Sequence, residues 1–186
     1  MRIIGITGTL GAGKGTIVDY LVNNHQFKHY SVRSYLIEII EERGMPVNRD
    51  SMVIVANELR GNHSPSYIVE KLYEKAAQLG GDCIIESIRT PGEITALAGK
   101  GDFQLIAVNA PSKIRYRRIL DRNSSTDQVT FDVFVQNERR EMSSVDPNKQ
   151  NLSACIKSAD FELDNRGSFE DLYVNIQQVL NKIELV

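Results

Sequence analysis

The apolar positions along this chain alternate between two periods. Ile3-Ile4-Gly5-Ile6 is a short continuous run, which suits a strand over residues 2–7 that is buried on both faces. Residues 14–23 change to helical spacing, with Ile17, Val18, Leu21 and Val22 on the inner side. Residues 27–31 read as a short strand. Helices follow over 34–43, carrying Leu36, Ile39 and Ile40, and over 49–60, carrying Val53, Val55, Ala56 and Leu59. Over 66–79 the residues Ile68, Leu72, Ala76 and Leu79 form a single stripe, and Gly80-Gly81 stop that helix. Cys83-Ile84-Ile85 and Phe103 to Val108 are again continuous apolar runs, read as buried strands. Helices over 112–122, 130–142 and 150–158 precede a last short strand at Phe161-Glu162-Leu163. Ser168 then caps a final helix whose inner stripe is Leu172, Ile176, Val179, Leu180 and Ile183.

Strands alternating with helices predict an α/β fold: a doubly wound parallel sheet between two helical layers. In such sheets ligands sit beyond the carboxyl ends of the strands. The segment after each strand is therefore where the chemistry is expected.

Composition narrows the class. The 186 residues suffice for one domain, expected to span 1–186, and 41% hydrophobic with 25% charged residues is ordinary for a globular protein. The net charge of −2 supplies no field toward nucleic acid or membrane. No apolar run approaches the ~20 residues of a spanning helix. The first strand begins without signal-peptide flanks, so a cytoplasmic protein is expected. Cys83 and Cys155 are far apart and outside any metal spacing, and read as buried free thiols. His25, His29 and His63 are scattered and are taken as surface or loop residues.

The segment Gly8-Thr9-Leu10-Gly11-Ala12-Gly13-Lys14-Gly15-Thr16 follows the first strand directly. Glycines let backbone N–H groups converge on phosphate oxygens, and the helix that follows turns its positive end toward them. Lys14 adds a point charge that reaches the outer phosphates. The general pattern is G-x-x-x-x-G-K-[ST]. Gly8, Gly13 and Lys14 fit it, whereas Gly15 stands where a magnesium-binding hydroxyl is usual, and Thr16 comes one residue later.

Three further clusters carry candidate chemistry. Glu86-Ser87-Ile88-Arg89 closes the Cys83–Ile85 run. Its carboxylate can orient magnesium-bound water and its arginine can fork onto a phosphate, unless the two only form a strand-end ion pair. Arg115, Arg118 and Arg122 fall on one helical face, suited either to the charge on a transferring phosphoryl group or to solvent. Glu138-Arg139-Arg140-Glu141 follows the polar stretch Asn123–Gln128. It reads either as the flank of a lid spanning about 122–142 or as an ordinary charge-laced helix. In the 31–79 region, Ser31, Arg33 and Arg60 are candidate ligands for an acceptor phosphate, with surface arginines as the alternative.

The loop, the arginine-rich helix and the lid-like segment together resemble the nucleoside monophosphate kinase group of P-loop proteins. The resemblance implies the P-loop NTPase fold, a sheet in the order 2-3-1-4-5, an acceptor-binding insertion at about 31–79, ATP and Mg2+. It implies ATP binding by Gly8, Gly11, Ala12, Gly13, Lys14, Gly15 and Thr16. Magnesium is held largely through water in those enzymes, here by Thr16 and Glu86. Glu86-Ser87-Ile88-Arg89 stands where adenylate kinases carry Asp-Gly-Phe-Pro-Arg, one residue shorter, and this implies acceptor roles for Glu86 and Arg89. Ser31-Val32-Arg33-Ser34-Tyr35-Leu36 replaces their Gly-Asp-x-Leu-Arg. The tail Ala159–Ser168 is similar to that of dephospho-CoA kinases, which implies a place for Asn165 beside the adenine, although the Asp motif of those enzymes after strand two is absent. The run Ile85–Glu93 also looks like a group of uncharacterised adenylate-kinase-related proteins. The expected activity is ATP-dependent phosphoryl transfer to a nucleoside monophosphate or similar small acceptor. In that scheme the catalytic residues are Lys14, which holds the β- and γ-phosphates with the loop amides, and Arg118, Arg122 and Arg140, which neutralise the transferring group as the lid closes; Arg33, Arg60 and Arg89 hold the acceptor. A dephospho-CoA kinase-type small-molecule kinase, a nucleotide sensor without transfer, and an NTPase using water are the alternatives. No evident aspartate aligns a water for the last.

Overall fold

A computed structural model of the chain describes residues 1–122 and 128–184. Five strands, β1 (Ile3–Gly8), β2 (Lys28–Ser31), β3 (Cys83–Glu86), β4 (Phe103–Asn109) and β5 (Phe161–Asp164), form one sheet in the order β2-β3-β1-β4-β5. Every neighbouring pair is parallel. The helices are α1 (Lys14–His25), α2 (Val32–Glu42), α3 (Arg49–Asn62), α4 (Tyr67–Leu79), α5 (Pro91–Ala98), α6 (Ser112–Asp121), α7 (Phe131–Met142), α8 (Leu152–Lys157) and α9 (Phe169–Glu184). This is the doubly wound α/β fold with the expected strand order.

The two-residue period of the strands divides the core into two layers. Ile4, Ile6, Ile84, Ile106 and Val108 face α1 and α9, where Ile17, Leu21, Leu172 and Ile176 meet them. Ile3, Cys83, Ile85 and Leu105 face the other way, onto Leu36, Val55, Ile68 and Leu97 of α2 to α5 and Cys155 of α8. This double burial explains why the central strands read as unbroken apolar runs. Both cysteines are free and buried. Burial pushes their thiols up, to about 11 for Cys83 and about 12 for Cys155.

The structure differs from the sequence reading in several places. Helix α5 was not expected. Its signal is local: Thr90 accepts from the Glu93 amide at 3.2 Å, Glu93 accepts from the Thr90 amide at 3.1 Å, and Pro91 starts the helix. Leu79 ends its stripe in solvent rather than in the core. Helix α2 begins at Val32 because Ser31 caps it, accepting from Ser34 N at 3.2 Å. His29 is an exposed residue of β2, in keeping with a surface position, but its Nε2 also contacts the Glu86 carboxylate at 3.2 Å, which the sequence reading did not foresee. Residues 123–127 of the expected lid lie outside the described residues.

Candidate active site

The carboxyl ends of all five strands point to one rim, and a cleft of about 740 Å3 opens there. Its first wall is the loop between β1 and α1. Gly11 sits at φ +77°, and a Cβ there would lie 2.5 Å from the Arg115 carbonyl oxygen. Gly13 sits at φ +108°, and a Cβ would lie 2.1 Å from Asn165 Nδ2. Both positions therefore need glycine twice over, for backbone conformation and for space. A Cβ on Gly15 would meet nothing within 4 Å. The missing hydroxyl there is thus a chemical choice and not a packing constraint. Gly13 makes no side-chain cap to α1, so the first-turn amides of that helix are left to a ligand.

Two side chains brace this wall from outside the loop. Asn165, just past β5, donates from Nδ2 to the Ala12 carbonyl at 2.8 Å. Arg115 is buried, donates from Nε to Ala110 O at 2.6 Å and from Nη1 to Leu10 O at 3.2 Å, and pairs with Glu138. The three arginines expected on one helical face, Arg115, Arg118 and Arg122, therefore divide. Arg115 is structural, while Arg118 and Arg122 line the cleft.

Lys14 folds back over the loop, donating from Nζ to Gly8 O at 3.0 Å and Thr9 O at 3.1 Å. Burial, reinforced by the charge of Arg89 and opposed by Glu86 and Glu141, lowers its pKa to about 8. Across from it, burial alone would raise the Glu86 carboxyl. The hydrogen bond from His29 and the charge of Lys14 outweigh burial and hold it below the usual carboxylate range. Ser87 follows at φ +74°, a left-handed conformation rare outside glycine, held by its amide on Ile6 O at 2.9 Å. That turn presents Glu86, Ser87 and Arg89 to the cleft together.

The opposite wall comes from α2, α3 and α7. Arg33, Arg49, Arg60 and Glu141 line it, with Val32, Leu36, Met52 and Ala56 between them. Glu141 is buried and bridges two guanidiniums: it pairs with Arg49 and accepts from Arg89 Nη1 at 2.6 Å. Burial pushes its carboxyl up, but the charges of Arg89 and Arg49 prevail and lower it. Arg60 is only 2% exposed and lies against Glu93, which is fully buried.

The cleft thus gathers Gly11, Gly13, Lys14, Gly15, Thr16, Arg33, Arg60, Glu86, Arg89, Arg118, Arg122 and Asn165 of the expected residues. Ala12 is buried beneath the loop, and Gly8 ends β1. Ser31 spends its hydroxyl on the α2 cap. Arg140 does not line the cleft and faces Asp50 on α3 at 3.5 Å. Sequence reasoning missed Arg49 and Glu93, and it named Glu141 only within the cluster 138–141, as the flank of a lid or a charge-laced helix. Arg49 and Glu141 are contributed to the wall by distant helices, and the signal that could have found Glu93 is the Thr90-x-x-Glu93 spacing. Among the described residues, the buried nitrogens Arg60 Nη1 and Arg118 Nη1, which belong to residues lining this cleft, have no hydrogen-bond partner.

A family model described as an AAA domain matches residues 4–145. The UPF0200/UPF0201 protein of Archaeoglobus fulgidus is 27% identical over 188 residues, covering 98% of this chain and 56% of that protein, so the chain spans about half of that relative's length. The UPF0200 protein of Methanococcus maripaludis is 25% identical over 191 residues and covered to 98% on both sides. Among solved structures, TT1252 from Thermus thermophilus superposes with a TM-score of 0.61 at 21% identity, covering 97% of each chain. A shikimate kinase from Bacteroides thetaiotaomicron gives a TM-score of 0.54 at 13% identity, covering 98% of each chain. The dephospho-CoA kinase from Campylobacter jejuni gives 0.54 at 15% identity, covering 98% of this chain and 97% of that one. The fold is that of the P-loop small-molecule kinases.

Proposed function

We propose, from the premise that the chain belongs to the AAA domain family, that it transfers a phosphoryl group from ATP to a small phosphate-bearing acceptor such as a nucleoside monophosphate. The observation that carries this reading is the two-sided cleft. A glycine-rich loop forms one wall, and Arg60 and Arg118, which line the same space, each hold one buried guanidinium nitrogen, Nη1, without a hydrogen-bond partner among the described residues. An unpaired buried N–H group costs about 1–3 kcal/mol, so such groups are expected where an anion completes them.

In this reading the loop amides and Lys14 hold the β- and γ-phosphates. Arg118 and Arg122 neutralise the transferring group, with Arg140 joining only if it leaves Asp50. Arg33, Arg60 and Arg89 orient the acceptor. Among the described residues, no three His, Cys, Asp or Glu side chains are grouped to hold a metal ion. The donors present fit magnesium carried by the nucleotide, with Thr16 and Glu86 contacting its water shell, where the ion would shield phosphate charge. Asn165 serves the nucleotide indirectly, by fixing the loop through Ala12. Positioning and electrostatics supply the catalysis, and no covalent nucleophile is required.

The test is ADP release from Mg-ATP with a panel of nucleoside monophosphates, dephospho-CoA and no acceptor. Acceptor-dependent ADP supports the proposal. Acceptor-independent ADP makes water the acceptor, and tight ATP binding without ADP makes the protein a sensor; either result overturns it.

A further inference from the structure

Arg60 is a buried arginine whose fork is only partly used. Its Nε and Nη2 both donate to Glu93 Oε1, at 3.1 and 2.8 Å. The other oxygen, Oε2, accepts from the amides of Arg89 at 2.6 Å and Thr90 at 3.1 Å. One fully buried carboxylate therefore fixes the Arg60 guanidinium and the backbone that carries Arg89. Because Glu93 binds the Nε–Nη2 edge, Nη1 is left over. It is buried, makes no hydrogen bond, and belongs to a residue lining the cleft.

The Arg60–Glu93 pair is neutral as a unit, so what it offers is a directed donor in a low-dielectric pocket rather than net charge. The surrounding charge comes from Arg33 and Arg89. Val32, Leu36, Met52 and Ala56 cover the rest of the same wall. An anionic group with an apolar or planar body beside it matches this surface, and a neutral polyol does not.

We propose that Arg60 Nη1 anchors the anionic group of the phosphoryl acceptor, a phosphate or a carboxylate, and that Glu93 is the positioning residue that aims it. This rests on the reading of the cleft as a transfer site. To the anionic acceptor of that reading it adds the buried carboxylate of Glu93, on which the grip of Arg60 depends.

The test loads the full chain with Mg-AMP-PNP, which fills the loop, and titrates inorganic phosphate by calorimetry. Arg60→Lys keeps the buried ion pair but loses the second nitrogen. Arg60→Met combined with Glu93→Gln removes the pair without stranding a charge. Glu93→Gln alone keeps Arg60 but loosens its aim. AMP-PNP affinity should stay within about twofold in all three, while phosphate affinity falls about tenfold or more, as expected for a lost hydrogen bond to a charged group. With an acceptor found, Glu93→Gln should raise its KM more than it lowers kcat. Wild-type protein that binds no phosphate once loaded, or variants that bind it as wild type does, would overturn the site. Arg60-dependent phosphate binding with no ADP from any acceptor keeps the anion site and sinks the transfer reading. Acceptor-dependent transfer with unchanged acceptor KM in the variants keeps the transfer reading and sinks the site.

Discussion

The two walls of the cleft are built from different materials. The wall proposed to hold the nucleotide is backbone: a loop of consecutive residues bent by Gly11 and Gly13, with one lysine at its end. The wall proposed to hold the acceptor is side chain: guanidiniums from positions 33, 49, 60 and 89, the last three paired with Glu93 or Glu141. Backbone donors are fixed by the fold at no further cost, whereas clustered arginines repel and need buried carboxylates to stand together. The nucleotide wall therefore separates function from stability, and the acceptor wall joins them.

That contrast is sharpest at Lys14 and Glu141. Lys14→Met should lower kcat/KM by about 10^2- to 10^3-fold, since it removes a preorganised charge from the outer phosphates. Its effect on stability has the opposite sign to that of a lost ion pair. With the folded pKa lowered to about 8 from an ordinary value of 10.5, folding releases protons. The buried charge costs stability fully below about pH 8, and the cost fades as pH rises toward 10.5. Thermal melts at pH 7 should therefore show the Met variant at least as stable as the wild type. Turnover surviving near the wild-type level would break the account of the nucleotide wall.

Glu141→Gln should act through the fold instead. It leaves Arg49 and Arg89 without the carboxylate between them, a change of a kind that costs about 3 kcal/mol. The Glu141 pKa is depressed, so its stabilisation is present above the ordinary carboxylate range and is lost as pH falls through the lowered value. The gap in melting temperature between wild type and variant should close on acidification. A melt at pH 7 within about 0.5 kcal/mol of wild type, the range of ordinary surface changes, would erase the distinction between the walls.

The same contrast explains what the sequence revealed. The loop, its strand and its helix are contiguous, so glycine spacing and periodicity locate them together. The strand order followed from resemblance, and the parallel sheet from alternation. The proposed acceptor wall is assembled from α2, α3, α7 and the turn after β3, with Glu93 of α5 behind it; nothing local to Arg49 distinguishes it from a surface charge, and Glu141 stands out only as one of four charges at 138–141. Arg115 shows the converse failure. Its helical spacing with Arg118 and Arg122 is real, but one turn of helix separates a residue that braces Leu10 O from residues that line the cleft. Ser31 was read as a ligand where a helix needed a cap, and both uses call for the same hydroxyl. Helix α5 was legible in Thr90-Pro91-Gly92-Glu93, a capping box with proline at the first turn. Only the structure shows that its glutamate also serves Arg60.

The smallest expected effect separates the walls by their protons. Near pH 8, Lys14 in the empty protein is about half neutral, because burial and the Arg89 charge outweigh its acidic neighbours. Phosphate oxygens brought against Nζ favour the charged form and raise its pKa. Binding ADP should then draw in about half a proton per site at pH 8 in the wild type and almost none in Lys14→Met, while ADP itself is almost fully ionised at that pH. Calorimetric titration of ADP in two buffers of different ionisation enthalpy reads this directly, as a binding heat that depends on the buffer at pH 8 in the wild type and not in the variant. Guanidiniums keep their charge throughout this range, so sulfate titrated into the AMP-PNP-loaded protein at pH 8 should show no buffer dependence. Sulfate is the better probe here because it does not itself titrate near neutrality as phosphate does. Equal buffer dependence for both ligands would mean that proton linkage is not confined to the lysine wall. A buffer-independent ADP heat at pH 8 would mean that Lys14 is already fully charged in the empty loop, closed over Gly8 and Thr9 as an ordinary ammonium.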